Sequence, residues 1–206
     1  VGYYMHQDAS AILYVLPTVE NAEGHSKDTI APMLRDTPVL AALSVADGPD
    51  SGPKDSGNTI RHKIYPGGWL MLVGANSGAG LRRVGVRILI MDEVDAYPPS
   101  AGSDGDPVEL AIMRTQAYWN RKIVALGTPL VSGASQIERS FEAGDGRRYF
   151  VPCTTCGHMA PLVFREPTSE TQPAGHVMTW PECKPEEAFF ACQKNGCIIE
   201  HKDKRV

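Results

Sequence analysis

An apolar run that ends in two adjacent carboxylates constrains this chain more than any other feature. In Arg87-Ile-Leu-Ile-Met-Asp-Glu-Val-Asp95, an apolar segment too short for a helix of its own stops abruptly at Asp92 and Glu93. Such a run reads as a strand buried on both faces, the kind found in parallel sheets covered by helices. Ligands of open α/β sheets gather at the carboxyl ends of strands, which puts this pair where chemistry is done. In nucleotide motors of the P-loop class, the first acid holds Mg²⁺, directly or through water. The second polarises the water that attacks the γ-phosphate. An acid pair at a strand end also serves as a plain helix cap, and the pattern alone leaves both readings open.

The rest of the chain supplies the sheet this strand needs. Val1 to Gln7 reads as the tail of a helix, and Ala11 to Leu16 as a second buried strand closed by Pro17. Thr18 suits the N-cap of a helical stretch to about Arg35, with Pro32 kinking or dividing it. Ala46 to Asn58, crowded with Gly, Pro, Ser and Asp, reads as a surface loop. Ile60 to Tyr65 and Trp69 to Val73 flank Pro66-Gly67-Gly68, a hairpin signal. Asp106-Pro107-Val108-Glu109 opens a helix whose stripe of Val108, Ile112, Thr115 and Trp119 is expected to face the core. Lys122 to Leu126 is a further strand ending in Gly127-Thr128-Pro129, and Ser135 opens another helix. Arg147 to Val151 is a short strand leading into the cysteines. Strands alternating with helices predict a parallel, doubly wound α/β sheet.

Cysteine usage sets the C-terminal quarter apart. All five cysteines lie there, and four fall in two pairs, which points to metal in a reducing compartment rather than a disulfide framework. Cys153-Thr-Thr-Cys156-Gly157-His158 has the spacing of a zinc knuckle. Cys192 and Cys197, with four residues between them, make the partner pair. Together they predict a zinc ribbon with a closed, structural site. Cys183 lacks a partner at ligand spacing, His158 suits a hydrogen-bonding role, and His176 and His201 carry no signal.

Charge excludes little. The net charge is −4 and the pI about 5.9, which argues against coating nucleic acid by bulk charge but leaves a local basic groove open. Basic residues cluster at Arg82-Arg83, Arg121-Lys122, Arg147-Arg148 and Lys202 to Arg205. No apolar stretch approaches membrane-spanning length, and no signal peptide is expected.

In order along the chain, these pieces resemble the large terminase subunit of tailed bacteriophages, of the lambda type. The resemblance is carried by Val15-Leu-Pro-Thr18, Ala31-Pro-Met-Leu-Arg-Asp-Thr-Pro38, Asp55-Ser-Gly-Asn-Thr59, Gly74-Ala-Asn-Ser77 with Leu81-Arg82, and Leu89 to Pro98. Gly127-Thr-Pro129, Ile137-Glu138 and Arg147 to His158 complete it. It implies a DNA-packaging motor in which ATP hydrolysis on a RecA-like, P-loop NTPase fold drives duplex DNA into an empty capsid, with a separate endonuclease domain cutting the concatemer. Carried over residue by residue, Asp92 is the Mg²⁺-associated acid, Glu93 the general base and Gly127-Thr128-Pro129 the coupling motif. Arg82 becomes a contact to a phosphate of nucleotide or DNA. The implied cofactors are ATP, Mg²⁺ and Zn²⁺, the last on Cys153, Cys156, Cys192 and Cys197. The implied partners are double-stranded DNA, the terminase small subunit, the portal protein and procapsid, and further copies of the full-length chain. The implied place of action is the bacterial host cytoplasm, with no membrane.

Two departures from the family pattern shape the expectation. Nowhere is there a Gly-x-x-x-x-Gly-Lys-[Ser/Thr], and the glycine-rich stretch Gly74 to Gly80 lacks the lysine. The family's phosphate loop would precede Val1 and its nuclease would follow Val206. The chain is therefore expected to comprise an incomplete ATPase core, 1–146, and a zinc-ribbon region, 147–206. As written it is expected to hydrolyse ATP negligibly, and to expose strand edges that favour aggregation. Two other readings stay open: a helicase-like DNA translocase, and a non-enzymatic zinc-ribbon DNA-binding module.

Overall fold

The central sheet is built from strands that are apolar on both faces. The structure, a computed structural model, describes residues 1–43, 58–131, 133–164, 175–182 and 184–200. The loop expected over Ala46 to Asn58 falls almost wholly outside these, as do Cys183, His201 and Lys202 to Arg205. The chain divides into two compact units, Val1–Glu142 and Ala143–Val206.

In the first unit, strands β1 (Ile12–Leu16), β2 (His62–Tyr65), β3 (Gly68–Gly74), β4 (Ile88–Met91) and β5 (Lys122–Ala125) form one sheet in the order β2-β3-β1-β4-β5. β1 runs parallel to β3 and β4, and β4 parallel to β5. The expectation of a parallel sheet holds for these four. The hairpin across Pro66-Gly67 adds β2 as an antiparallel edge, with Tyr65 opposite Gly68. Gly67 turns the chain with φ 84, a conformation that suits glycine.

Alternation along the strands divides the core in two. Leu13, Val15, Met71, Val73, Leu89 and Met91 point to one face and pack with Leu81, Val108 and Ala111. Ile12, Tyr14, Leu70, Leu72, Ile88 and Ile90 point to the other and pack with Met5, Ala22, Ile30 and Leu40. Helices thus cover both faces. α5 (Gly78–Arg82) and α6 (Pro107–Met113) supply the first set, while α1 (Gly2–His6), α2 (Val19–His25) and α4 (Pro38–Ala41) contribute to the second. Truncating a fully buried side chain such as Leu89 to alanine would cost about 2–5 kcal/mol.

Local caps explain where helices start and stop. The Thr18 side chain accepts from Asn21 N, and the helix it opens reaches Asp36 with a π turn at Ser26–Ile30 between α2 and α3 (Ala31–Asp36). Pro32 has no N–H to return to the preceding turn, and the chain accommodates it by the wider turn, in which Ala31 N bonds Ser26 O. Asp106 accepts from Val108 N and starts α6 as expected. That helix ends earlier than its apolar stripe suggested. Arg114 N and Thr115 N turn back to Ala111 and Ile112, and the Thr115 hydroxyl also bonds Ile112 O. Trp119, expected in the core, is 93% exposed because the helix has stopped at Met113. α7 (Gln136–Glu142) follows Ser135.

The second unit holds β6 (Phe150–Pro152), β7 (Met159–Val163), β8 (His176–Thr179), β9 (Phe189–Ala191) and β10 (Ile198–Ile199) in the order β10-β9-β8-β7-β6. Its small core is Cys153, Phe190, Cys192 and Ile199. Apolar burial this limited among the described residues points to another source of stability.

Candidate functional site

The acid pair stands at the carboxyl end of β4, between two neighbouring parallel strands. Asp92 N continues the ladder to Val15 O at 2.9 Å, and Leu126 N reaches Met91 O at 2.8 Å. The chain then leaves the sheet through Glu93, which has φ 53 and ψ 47. Glu93 is the sole non-glycine residue with positive φ among those described. A non-glycine side chain in this left-handed region costs of order 1 kcal/mol and persists only where the surroundings impose it. Here they do: Glu93 N donates to Asp92 Oδ1 at 3.1 Å, Val94 N to Leu126 O at 3.1 Å, and Ala96 N back to Glu93 O at 2.9 Å. The Glu93 side chain is left exposed at the strand end.

Asp92 is half-buried, and its second oxygen accepts from the Tyr14 hydroxyl at 2.8 Å. Tyr14 lies on β1 and rests against the His25 ring, centroids 4.9 Å apart. Burial, followed by the hydrogen bond to Asp92, pushes the Tyr14 phenol well above its usual range. Tyr97 closes the same turn from the far side, donating to Val15 O at 2.9 Å, and burial raises its phenol likewise. Neither tyrosine was singled out in the sequence. Their signal was available only as polar-tipped aromatics flanking the acid strand.

Gly127-Thr128-Pro129 follows β5 directly beside this turn. A Cβ on Gly127 would lie 3.4 Å from Val94 N and 3.8 Å from Glu93 Cα. The far end of the segment is tied down by Asp95, whose carboxylate accepts from Leu130 N at 3.1 Å and from Ile137 N at 2.9 Å. Ser135 is the first cause of a lowered Asp95 pKa, with the Ile137 and Leu130 amides adding to it. A cleft of about 460 Å³ opens beside these residues, with Asp95, Tyr97, Leu130 and Arg139 in its wall. Arg82 is engaged differently: its guanidinium pairs with Asp104 at 2.8 Å.

In the second unit, two turns of matching construction bring the cysteines together. Gly157 N bonds Cys153 O, and Cys153 N bonds His158 O; Gly196 N bonds Cys192 O, and Cys192 N bonds Cys197 O. Gly157 and Gly196 adopt φ 69 and φ 65, a left-handed conformation that suits glycine. In this correspondence Asn195 stands where the first turn has Cys156, and Cys197 stands where it has His158. The wider spacing of the second pair thus comes from a cysteine displaced by two positions on the same turn. Sγ atoms of Cys153, Cys156 and Cys197 lie within 4.8 Å of one another, and Cys156 Sγ is 3.7 Å from Cys192 Sγ. Tetrahedral zinc thiolates with bonds near 2.3 Å place their sulfurs about 3.8 Å apart. Cys153, Cys156 and Cys197 fit that ion by donor type and spacing, while Cys192 lies outside this group of three and approaches it through Cys156. The His158 backbone amide pulls the Cys156 thiol down to about 7, whereas removal from water pushes Cys197 up to about 11. His158 packs edge-on against His176, which is fully buried and bonded through Nε2 to Val151 O.

The model of the phage terminase large subunit gpA ATPase domain matches residues 1–206. This chain belongs to that family. It is 30% identical to the terminase large subunit of Escherichia phage lambda and 28% identical to that of Enterobacteria phage P21. Each match covers 98% of this chain and 30% of the relative, so the chain spans about a third of the length of these terminase subunits. No solved structure matches it. The resemblance drawn from ordered motifs is borne out, and terminase large subunits of phage DNA packaging are ATPases by the family's description.

Proposed function

We propose that this chain supplies the hydrolytic and coupling half of a RecA-like, P-loop nucleotide site in a DNA-packaging motor. The observation that carries the reading is Glu93, held in a left-handed conformation at the end of the acid strand and backed by Gly127. Backbone strain at an exposed carboxylate has no packing benefit, and such residues cluster at active sites.

In this reading Asp92 and Glu93 offer hard oxygen donors suited to Mg²⁺, with Asp92 as the metal-associated acid. Bound Mg²⁺–ATP would supply an electrophilic γ-phosphorus and a neutralised leaving group. Glu93 takes a proton from the attacking water, a task that fits an exposed carboxylate on a turn fixed by two backbone bonds and one from Glu93 N to the Asp92 carboxylate. Gly127-Thr128-Pro129 couples this event to movement, because Val94 N and Asp95 tie both ends of that segment to the Glu93 turn. Arg82 keeps a phosphate-contact role only by exchanging Asp104 for that phosphate. The 143–206 unit is a zinc ribbon held by Cys153, Cys156, Cys192 and Cys197. Double-stranded DNA, the small subunit, the portal and procapsid, and further copies of the chain are the partners of the whole protein, in the host cytoplasm. No helix among the described residues is long and apolar enough to cross a membrane.

The test replaces the matched segment of the lambda relative with this chain and reads ATP turnover. Glu93→Gln and Asp92→Asn should each lower kcat at least about a hundredfold, the scale of general-base catalysis. Turnover that survives Glu93→Gln would refute the assignment.

A further inference from the structure

We propose that Tyr14 is a positioning residue for Asp92, its phenol fixing the carboxylate in the orientation from which a divalent cation is taken. The proposal rests on the motor reading above and adds a residue outside the acid pair and the 127–129 segment.

Tyr14 stands on β1 directly across from Ile90 of β4, two residues before Asp92. Its side chain is 6% exposed. The ring is held against His25, so the hydroxyl has little freedom to point elsewhere. That hydroxyl donates to Asp92 Oδ2 at 2.8 Å, while Oδ1 takes the Glu93 N–H at 3.1 Å. Each carboxylate oxygen thus has one protein donor and keeps lone pairs for a cation.

Comparison with two other tyrosines in the same unit shows that this is more than satisfaction of a buried hydroxyl. Tyr65 and Tyr97 are each satisfied by a main-chain carbonyl, of Ser10 and Val15 respectively. Tyr14 instead spends its donor on the site carboxylate. Val15, the next residue, accepts from both Asp92 N and the Tyr97 hydroxyl. The end of β1 is therefore a template for the acid turn, and Tyr14 is the part of it that reaches a functional atom. An aspartate at a strand end otherwise samples several χ1 wells, and an outer donor that selects one of them removes that freedom before the cation arrives. Donors of this kind typically change metal affinity by about 10- to 100-fold.

The probe is MnCl₂, titrated into the chain, with free Mn²⁺ read by electron paramagnetic resonance and its location by broadening of the Asp92 carboxyl ¹³C signal. Tyr14→Phe should weaken Mn²⁺ binding about tenfold and have no further effect when added to Asp92→Asn. Equal affinity in the wild type and Tyr14→Phe, with binding lost in Asp92→Asn, would overturn the role of Tyr14 and leave the motor reading intact. Mn²⁺ that leaves the Asp92 signal sharp, or binds Asp92→Asn unchanged, would sink both. A second measurement needs no variant: three-bond couplings of the Asp92 β-protons should report one χ1 rotamer in the wild-type chain. Averaged couplings would overturn the proposal even if Tyr14→Phe failed to fold.

Discussion

The main-chain N–H of Val94 donates to the carbonyl of Leu126 at 3.1 Å, joining the turn after Glu93 to the one that opens on Gly127. The two segments approach so closely that the side chain at 127 is decided by the position of Glu93. A single methyl fits, since a Cβ would sit 3.4 Å from Val94 N and 3.5 Å from Val94 Cγ2. Gly127→Ala should therefore leave the fold unchanged. Gly127→Val places branches against the same backbone and should cost about 1–3 kcal/mol. Amide chemical shifts of Glu93 and Val94 check this: they should move for valine and stay for alanine.

Glu93 itself trades stability for position. Its φ of 53 is one that glycine adopts without the Cβ penalty. Glu93→Gly should raise unfolding stability by up to about 1 kcal/mol, since relief of the left-handed strain outweighs glycine's greater unfolded-state entropy. Urea unfolding monitored by circular dichroism reads the sign. A loss of stability in Glu93→Gly would mean that the surroundings, not the residue, prefer this conformation.

Asp95 gives the first unit part of its acid sensitivity. Its pKa is lowered in the folded state by the Ser135 hydroxyl, then by the Ile137 and Leu130 amides. A lowered folded-state pKa stabilises the fold above the unfolded value of about 3.9, and that stabilisation is lost as pH falls through the lower folded value. Asp95→Asn cannot titrate, so its stability should fall less steeply below about pH 4 than that of the wild type. Thermal unfolding across that range is the measurement. Parallel curves would show that Asp95 contributes nothing to the acid limb.

Local chemistry was legible in the sequence where a single residue decides it. Thr18 and Asp106 cap helices because their side chains accept from Asn21 N and Val108 N, bonds that need only short-range spacing. The buried strand ending at Asp92 was legible because four consecutive apolar residues can hardly sit elsewhere than in a covered sheet. Trp119 misled because periodicity does not register Thr115, whose hydroxyl takes the Ile112 carbonyl as the helix closes. Tyr14 was invisible for another reason. Its partner lies 78 residues away, and only the register of β1 on β4 makes them neighbours. The same holds for Asp95, whose acceptor role depends on where the 130–137 segment folds back.

The cysteine turns carry the sharpest stability prediction. Among the described residues of the unit 143–206, the apolar cluster has four buried members, two of them cysteines, so folding of this unit is expected to depend on whatever joins the sulfurs. One Zn²⁺ per chain on Cys153, Cys156, Cys192 and Cys197 would contribute on the order of 10 kcal/mol at neutral pH. Chelation should then unfold this unit while the sheet of residues 1–142 keeps its own transition. Asn195 occupies the place that Cys156 has in the first turn, so a thiol there would restore the commoner spacing. Cys197→Ser should lose zinc, and Asn195→Cys added to it should recover the metal, because both turns share one hydrogen-bond pattern. Elemental analysis decides the matter: full zinc in Cys197→Ser or Cys192→Ser, or none in the wild type, would remove these cysteines from the role assigned to them.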